Sequence, residues 1–249
     1  MNKPSVNLIC ASLLTGVYDV NRNNLVATDE FSLVKEWYDS IVGLRLNAVI
    51  FHNNFSRDTI DTYENEWVRF VEVAYDTAYN PNVFRYFVYK NFLEQEGASV
   101  ENIFMTDIAD VVVLQNPFSH NFFLQNPEAL FCGDEPKILN NEWMNDHSTH
   151  LRNQIPSFAT YEKEYGEQVL LNCGIIGGNV TIIKPLLDSL VSIHRNYTIS
   201  NQSAYTLDMG AFNFVARTQF AGQLLHGSPV NTVFKAYEAE REDCWFRHK

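Results

Sequence analysis

Cations are scarce in this chain. Its 249 residues carry 18 Lys and Arg against 30 Asp and Glu, a formal net charge of −12. That balance excludes a sequence-independent grip on nucleic acid or on anionic lipid, because both need clustered basic side chains. Cysteine is equally sparse. Cys10, Cys132, Cys173 and Cys244 lie far apart with no Cys-x-x-Cys spacing, which excludes a zinc knuckle and a redox pair. Reduced, buried thiols in a reducing cytoplasmic compartment are the expectation. No stretch approaches the roughly 20 apolar residues needed to span a bilayer. The opening Val6–Leu14 run is interrupted by Asn7 and lacks a small-x-small cleavage site, so it reads as a first strand and not as a signal peptide. A Gly-Lys-Ser/Thr phosphate loop is also missing, which removes the main support for a nucleotide hydrolase.

What is present is an ordinary apolar fraction of 46%, enough for one large core. No repeat, linker or low-complexity segment divides the chain, so a single domain over residues 1–249 is expected. Strand-like runs alternate with helical periodicity. Val6–Leu14, Asn47–His52, Val68–Val73, Ala129–Cys132 and the stretch around Asn172–Gly178 read as strands. Glu30–Gly43, Thr59–Trp67, Val83–Leu93 and Val180–Tyr197 read as helices, with Gly43 stopping the first, Asn82 capping the third and Pro185 in the first turn of the last. Gly133-Asp134-Glu135-Pro136 reads as a loop, and 137–167, which lacks clean periodicity, as a long loop over a site. The fold class that follows is α/β, a mixed, mostly parallel sheet flanked by helices.

One stretch gathers chemistry: Ile103-Phe104-Met105-Thr106-Asp107-Ile108-Ala109-Asp110-Val111-Val112-Val113. Two acids stand between an apolar run and a β-branched run, where a buried strand ends and another begins. In open α/β sheets that edge is the usual ligand crevice, and two carboxylates there can share a hard divalent cation. Residues three apart on a continuing strand point to opposite faces, so the reading requires a turn at Ile108-Ala109. A second signature is Asn172-Cys173-Gly174-Ile175-Ile176-Gly177-Gly178, whose glycines inside an apolar strand imply close approach of another element or a ligand. Arg85, on the preceding helix, has the planar fork that recognises phosphate or carboxylate, and is otherwise a surface arginine. His52 is read as hydrogen-bonded structure at a strand end.

In their order, these motifs resemble the metal-dependent, nucleotide-diphospho-sugar glycosyltransferases of the GT-A fold. The acids form an Asp-x-x-Asp variant of the family's Asp-x-Asp motif. Asn172-x-Gly174 matches its Asn-x-Gly strand, Asp208 to Asn213 its Asp-led helix with Met209 replacing a Gln, and His226-Gly227-x-Pro229 with Lys235 its late His-containing loop. The resemblance covers about Val6 to Lys235. It implies a GT-A-like domain binding Mn²⁺ or Mg²⁺ through Asp107, Asp110 and His226. Thr15, Arg85, Asp107, Asn172, Gly174 and Lys235 would hold the nucleotide-sugar donor, a UDP-sugar above others. A glycan or related hydroxyl acceptor is the implied partner. Asp208 and Asp134 are the expected catalytic carboxylates, with Glu135 and His147 as further candidate bases. The alternatives are a noncatalytic carbohydrate- or nucleotide-binding module of the same fold and a sugar nucleotidyltransferase.

Overall fold

A computed structural model describes residues 6–19, 24–197, 206–236, 241 and 243–249. In chain order the elements are β1 (Val6–Leu13), β2 (Tyr18–Asp19), β3 (Asn24–Leu25), α1 (Lys35–Leu44), β4 (Ala48–His52), α2 (Arg57–Tyr63), β5 (Val68–Glu72), α3 (Pro81–Glu96), β6 (Val100–Thr106) and β7 (Val111–Val113). There follow α4 (Asn121–Leu124), β8 (Leu130–Ile138), α5 (Glu142–His147), α6 (Thr149–Gln154), α7 (Phe158–Tyr165), β9 (Val169–Asn179), α8 (Val180–Asn196), α9 (Asp208–Gln219), β10 (Leu224–His226) and β11 (Phe246–His248).

Seven strands form one sheet in the order β10-β8-β9-β6-β1-β4-β5. β9 is antiparallel to both neighbours and every other pairing is parallel. The C-terminal ends of β10, β8, β6, β1 and β4 therefore share one edge. β1, β4 and β6 read as near-continuous apolar runs because helices cover both faces, as parallel sheets require. On one face α3, α8 and α9 pack through Tyr86, Tyr89, Leu186, Leu190, Phe212 and Val215. On the other, α1 and the two-stranded β7–β11 ribbon pack through Trp37, Ile41, Phe104, Trp245 and Phe246.

Several local expectations are corrected. Gly43 lies inside α1, which ends where Arg45 adopts a left-handed conformation (φ 54). α2 begins earlier than expected, capped by the Ser56 hydroxyl. α3 is capped by Asn80 and has Pro81 in its first turn, so Asn82 is the residue whose N–H is capped. Pro185 stands beyond the first turn of α8. Gly133–Ile138 is not a loop. It continues β8 alongside β9 through two register shifts, so tertiary pairing overrides the Gly/Pro signal. Residues 137–167 hold α5, α6 and α7, each anchored by one or two buried residues such as Met144, Leu151 and Phe158, too short a repeat for periodicity to show. All four cysteines are free and buried, and burial pushes the Cys10, Cys132 and Cys173 thiols up, away from nucleophilic use. Among the described residues no helix is long and apolar enough to cross a membrane.

Candidate metal centre

At the end of β6 the chain bends over residues 108–110, so Asp107 and Asp110 converge as the spacing requires. The imidazole that meets them comes from β11. His248, Asp107 and Asp110 each bring one ligand atom to within 4.8 Å of the others. His248 Nε2 stands 4.0 Å from Asp107 Oδ2 and 3.9 Å from Asp110 Oδ2. Those separations are too long for hydrogen bonds. They suit donors around one ion, because metal–ligand bonds of about 2.1 Å leave neighbouring donors roughly 3–4 Å apart.

The ring is 2% exposed, and its Nδ1 has no hydrogen-bond partner among the described residues. Burial pushes its pKa down to about 4, with Asp107 pulling the other way. It is therefore neutral at physiological pH, the form that could ligate a metal. Two carboxylates and a neutral imidazole fit Mn²⁺ well and Mg²⁺ less well, since imidazole is the softer donor.

Local structure explains the convergence. β11 pairs antiparallel with β7, with His248 opposite Val111, which carries the chain's end back beside the acids. The Lys249 N–H donates to the Asp110 carbonyl at 2.9 Å. Gly174 on β9 leaves the space that the centre fills. A Cβ there would lie 2.5 Å from His248 Cε1 and 2.7 Å from Asp107 Oδ2, so only glycine fits. Its carbonyl accepts the Asp107 N–H at 2.7 Å, and its N–H donates to Asn172 Oδ1 at 2.7 Å. Asn172 Nδ2 in turn donates to Glu135 Oε1 at 2.8 Å.

Arg85 stands behind the centre. It is buried, ion-paired to Asp107, 3.5 Å from Asp208 Oδ2, and donates to the Cys173 carbonyl at 3.3 Å. In front lies a cleft of about 270 Å³ lined by Ser12, Leu14, Val26, Asn80, Arg85 and Asp110 among others. It occupies the crevice at the C-terminal ends of β1 and β6, where open α/β sheets bind ligands.

The other expected residues divide. Asp208 is the first residue of α9, not its cap, and is bonded by the Thr206 hydroxyl. Thr15 is buried beside the cleft, but Asn53 and Asn54 occupy its polar atoms. His52 is structural, with Nδ1 accepting the Phe55 N–H, and His147 stacks on Trp143. Lys235 is exposed, and its charge acts on both His248 and Glu135. His226 and Asp134 are not part of the cluster. They bond each other, Nδ1 to Oδ2, at 2.9 Å. The histidine that joins the two acids is thus His248, shortly after the aromatic Trp245-Phe246 pair, and not the expected His226.

No family profile matches this chain, and no characterised protein compared with it does. Its function is read from the site.

Proposed function

We propose that the chain is a metal-dependent glycosyltransferase of the GT-A type, moving a sugar from a nucleotide-diphosphate donor to a hydroxyl acceptor. The observation that carries this reading is the Asp107–Asp110–His248 group, a dry imidazole held about 4 Å from two carboxylates at the mouth of a sheet-edge cleft. Asp107, Asp110 and His248 would hold Mn²⁺ or Mg²⁺. Bound there, the ion supplies charge stabilisation for the departing diphosphate.

The residues around it have separate tasks in this reading. Arg85 keeps Asp107 ionised and aimed, since its guanidinium is fixed between Asp107 and Asp208. Lys235, whose charge acts on His248, would meet a donor phosphate. Leu13, Leu14, Val17 and Val26 give the cleft an apolar wall suited to a nucleobase face, while Asn80 and Asn82 supply polar edges. The wall of Asn172 and Gly174 borders the sugar side.

Calorimetry with Mn²⁺ and a panel of UDP-sugars, on wild type and Asp110→Asn, tests the reading. Wild type should bind a UDP-sugar only with metal and release UDP on turnover, and the variant should lose both while remaining folded. Metal-independent binding without turnover would favour the noncatalytic module instead.

A further inference from the structure

On the far side of the metal centre from the donor cleft, β8 and β10 build a second carboxylate–histidine group. Its parts are held before any ligand arrives. Asp134 is fixed by its main chain: its N–H donates to Asn231 Oδ1 at 3.2 Å and its carbonyl accepts Asn231 Nδ2 at 3.1 Å. Asn231 lies in the segment that follows β10 and His226. Gly227, at φ 70, lies so close to the carboxylate that a Cβ would be 2.7 Å from Asp134 Oδ2. The backbone thus folds tightly around the pair.

The Asp134 carboxylate takes Nδ1 of His226 at 2.9 Å, and Nε2 makes no hydrogen bond among the described residues. Both side chains remain partly open to solvent, at 26% and 29%. A carboxylate on Nδ1 favours the tautomer whose free lone pair is on Nε2.

The sheet sets where that lone pair stands. Met105, Ile176, Cys132 and His226 lie on one line across β6, β9, β8 and β10. Beyond it β8 shifts register after Cys132, so Asp134 pairs with Leu171 of β9 while the Asp107 N–H donates to the Gly174 carbonyl. Three inter-strand spacings separate β6 from β10, on the order of 14 Å between backbones. The Asp134–His226 pair and the Asp107–Asp110 acids thus stand on either side of β9 at the same edge of the sheet. Asn172 and Glu135 floor the space between, and the Lys235 charge acts across it.

We propose that His226, oriented by Asp134, is the base that takes the proton of the acceptor hydroxyl, so that transfer inverts the anomeric centre. The proposal rests on the glycosyltransferase reading. In the step, the acceptor O–H proton passes to His226 Nε2 while the oxygen forms its bond to the anomeric carbon. The bond from that carbon to the diphosphate breaks, and its electron pair leaves with the nucleoside diphosphate. The imidazolium then returns its proton to solvent. A front-side retaining transfer, in which the leaving diphosphate takes the acceptor proton, needs no base at this place.

Two measurements test it. Imidazole ¹⁵N NMR on the full chain should find His226 protonated on Nδ1 with Nε2 bare, an arrangement lost in Asp134→Asn. A proton on Nε2 would overturn the proposal without any substrate. Turnover is then measured as UDP release from UDP-glucose and UDP-galactose with Mn²⁺ and simple glycosides as acceptors. His226→Gln should lower kcat by about 10²- to 10⁴-fold, with the affinities for Mn²⁺ and donor unchanged. Asp134→Asn should lower kcat in the same direction, and added imidazole should partly restore His226→Ala, which a purely structural pair would not allow. The α-linked donor should give a β-linked product. An unchanged kcat in His226→Gln, or an α-linked product, strikes the dyad alone. Failure of wild type to bind or turn over any nucleotide sugar strikes the parent reading, and this proposal with it.

Discussion

Carboxylate and histidine meet twice at one edge of this sheet, and the two meetings differ in separation and in burial. At the end of β6 the imidazole stops about 4 Å short of the acids. At Asp134, within β8, it closes to 2.9 Å. The first gap leaves room for an ion and the second does not. Burial follows the same division, with His248 almost wholly enclosed and His226 partly open. Identical residue types thus acquire different chemistry: a dry neutral donor in one place, and in the other an oriented ring with one nitrogen left for a ligand.

Exchange of the two histidines is the sharpest way to break the contrast, and it carries the largest effect. His248→Ala should weaken Mn²⁺ binding by at least 10- to 100-fold, the range that even indirect disturbance of a metal site produces. His226→Ala should leave Mn²⁺ affinity where it was. Titration of both variants by calorimetry or by Mn²⁺ relaxation decides it. The reverse pattern would return the third ligand to β10.

Next in size is the cation behind the centre. Arg85→Met leaves Asp107 and Asp208 facing each other without their shared guanidinium, the latter only 5% exposed. Stranding buried charge in this way costs about 3–5 kcal/mol. Urea unfolding should show the loss. Saturating Mn²⁺ should recover part of it in the variant, because the ion neutralises Asp107 from the other side. An unaltered midpoint would mean that the network is not a stabilising one.

A smaller effect separates the enclosed histidines by pH. Burial pushes His194 down to about 4, as it does His248, while Asp208 pulls His194 upward. Both folded values lie below the unfolded one, so the unfolded chain takes up protons first. The stability these rings contribute is complete above pH 6.5 and is lost as pH falls towards 4. Each accounts for on the order of 3 kcal/mol over that window. His194→Phe keeps a ring stacked on Tyr86 and should flatten the dependence between pH 7 and 4.5. Mn²⁺, by holding His248 neutral in the folded state, should keep the remainder and extend it to lower pH. Equal slopes with and without these changes would rule out the titration as the cause.

Much of this arrangement is legible without coordinates, for physical reasons that vary with position. β1, β4, β6 and β9 announce themselves because strands covered on both faces must be apolar throughout. Asp107, Asp110, Asn172 and Gly174 stand out because charge, amide or glycine in or after such a run has no apolar packing role to explain it. β8 beyond Cys132 is hidden, since its Gly133 and Pro136 look like a turn and only pairing with β9 keeps them extended. α5 to α7 are hidden because helices of six to eight residues complete too few turns to show a period. His248 is hidden for a third reason. A three-residue strand is defined by its partners, and β11 pairs with β7, far earlier in the chain. The late His-Gly-x-Pro loop therefore drew the ligand assignment to His226, whose partner Asp134 lies 92 residues earlier.

The smallest effect lies at Glu135, which links the two regions through Asn172, Gly174 and Asp107. It is 8% exposed, and burial raises its carboxyl pKa while the Asn172 hydrogen bond lowers it. A folded value above the unfolded one means that the folded state holds its proton more tightly. Its favourable contribution is therefore complete below the unfolded pKa and disappears as pH rises through the folded one. At neutral pH the ionised side chain works against folding. Glu135→Gln keeps the shape and the Oε1 that accepts from Asn172 but removes the charge. It should raise the unfolding free energy at pH 7 by about 1 kcal/mol or less and make no difference in acid, where Glu135 is already neutral. Thermal melts at pH 7 and pH 3.5 read this directly. Mn²⁺ affinity should hold if the hydrogen-bond relay from Asn172 to Asp107 is what matters, and should fall if the Glu135 charge itself supports the centre. A variant less stable than wild type at pH 7 would show that the carboxylate is satisfied as an anion, with Lys137 and Lys235 outweighing its burial.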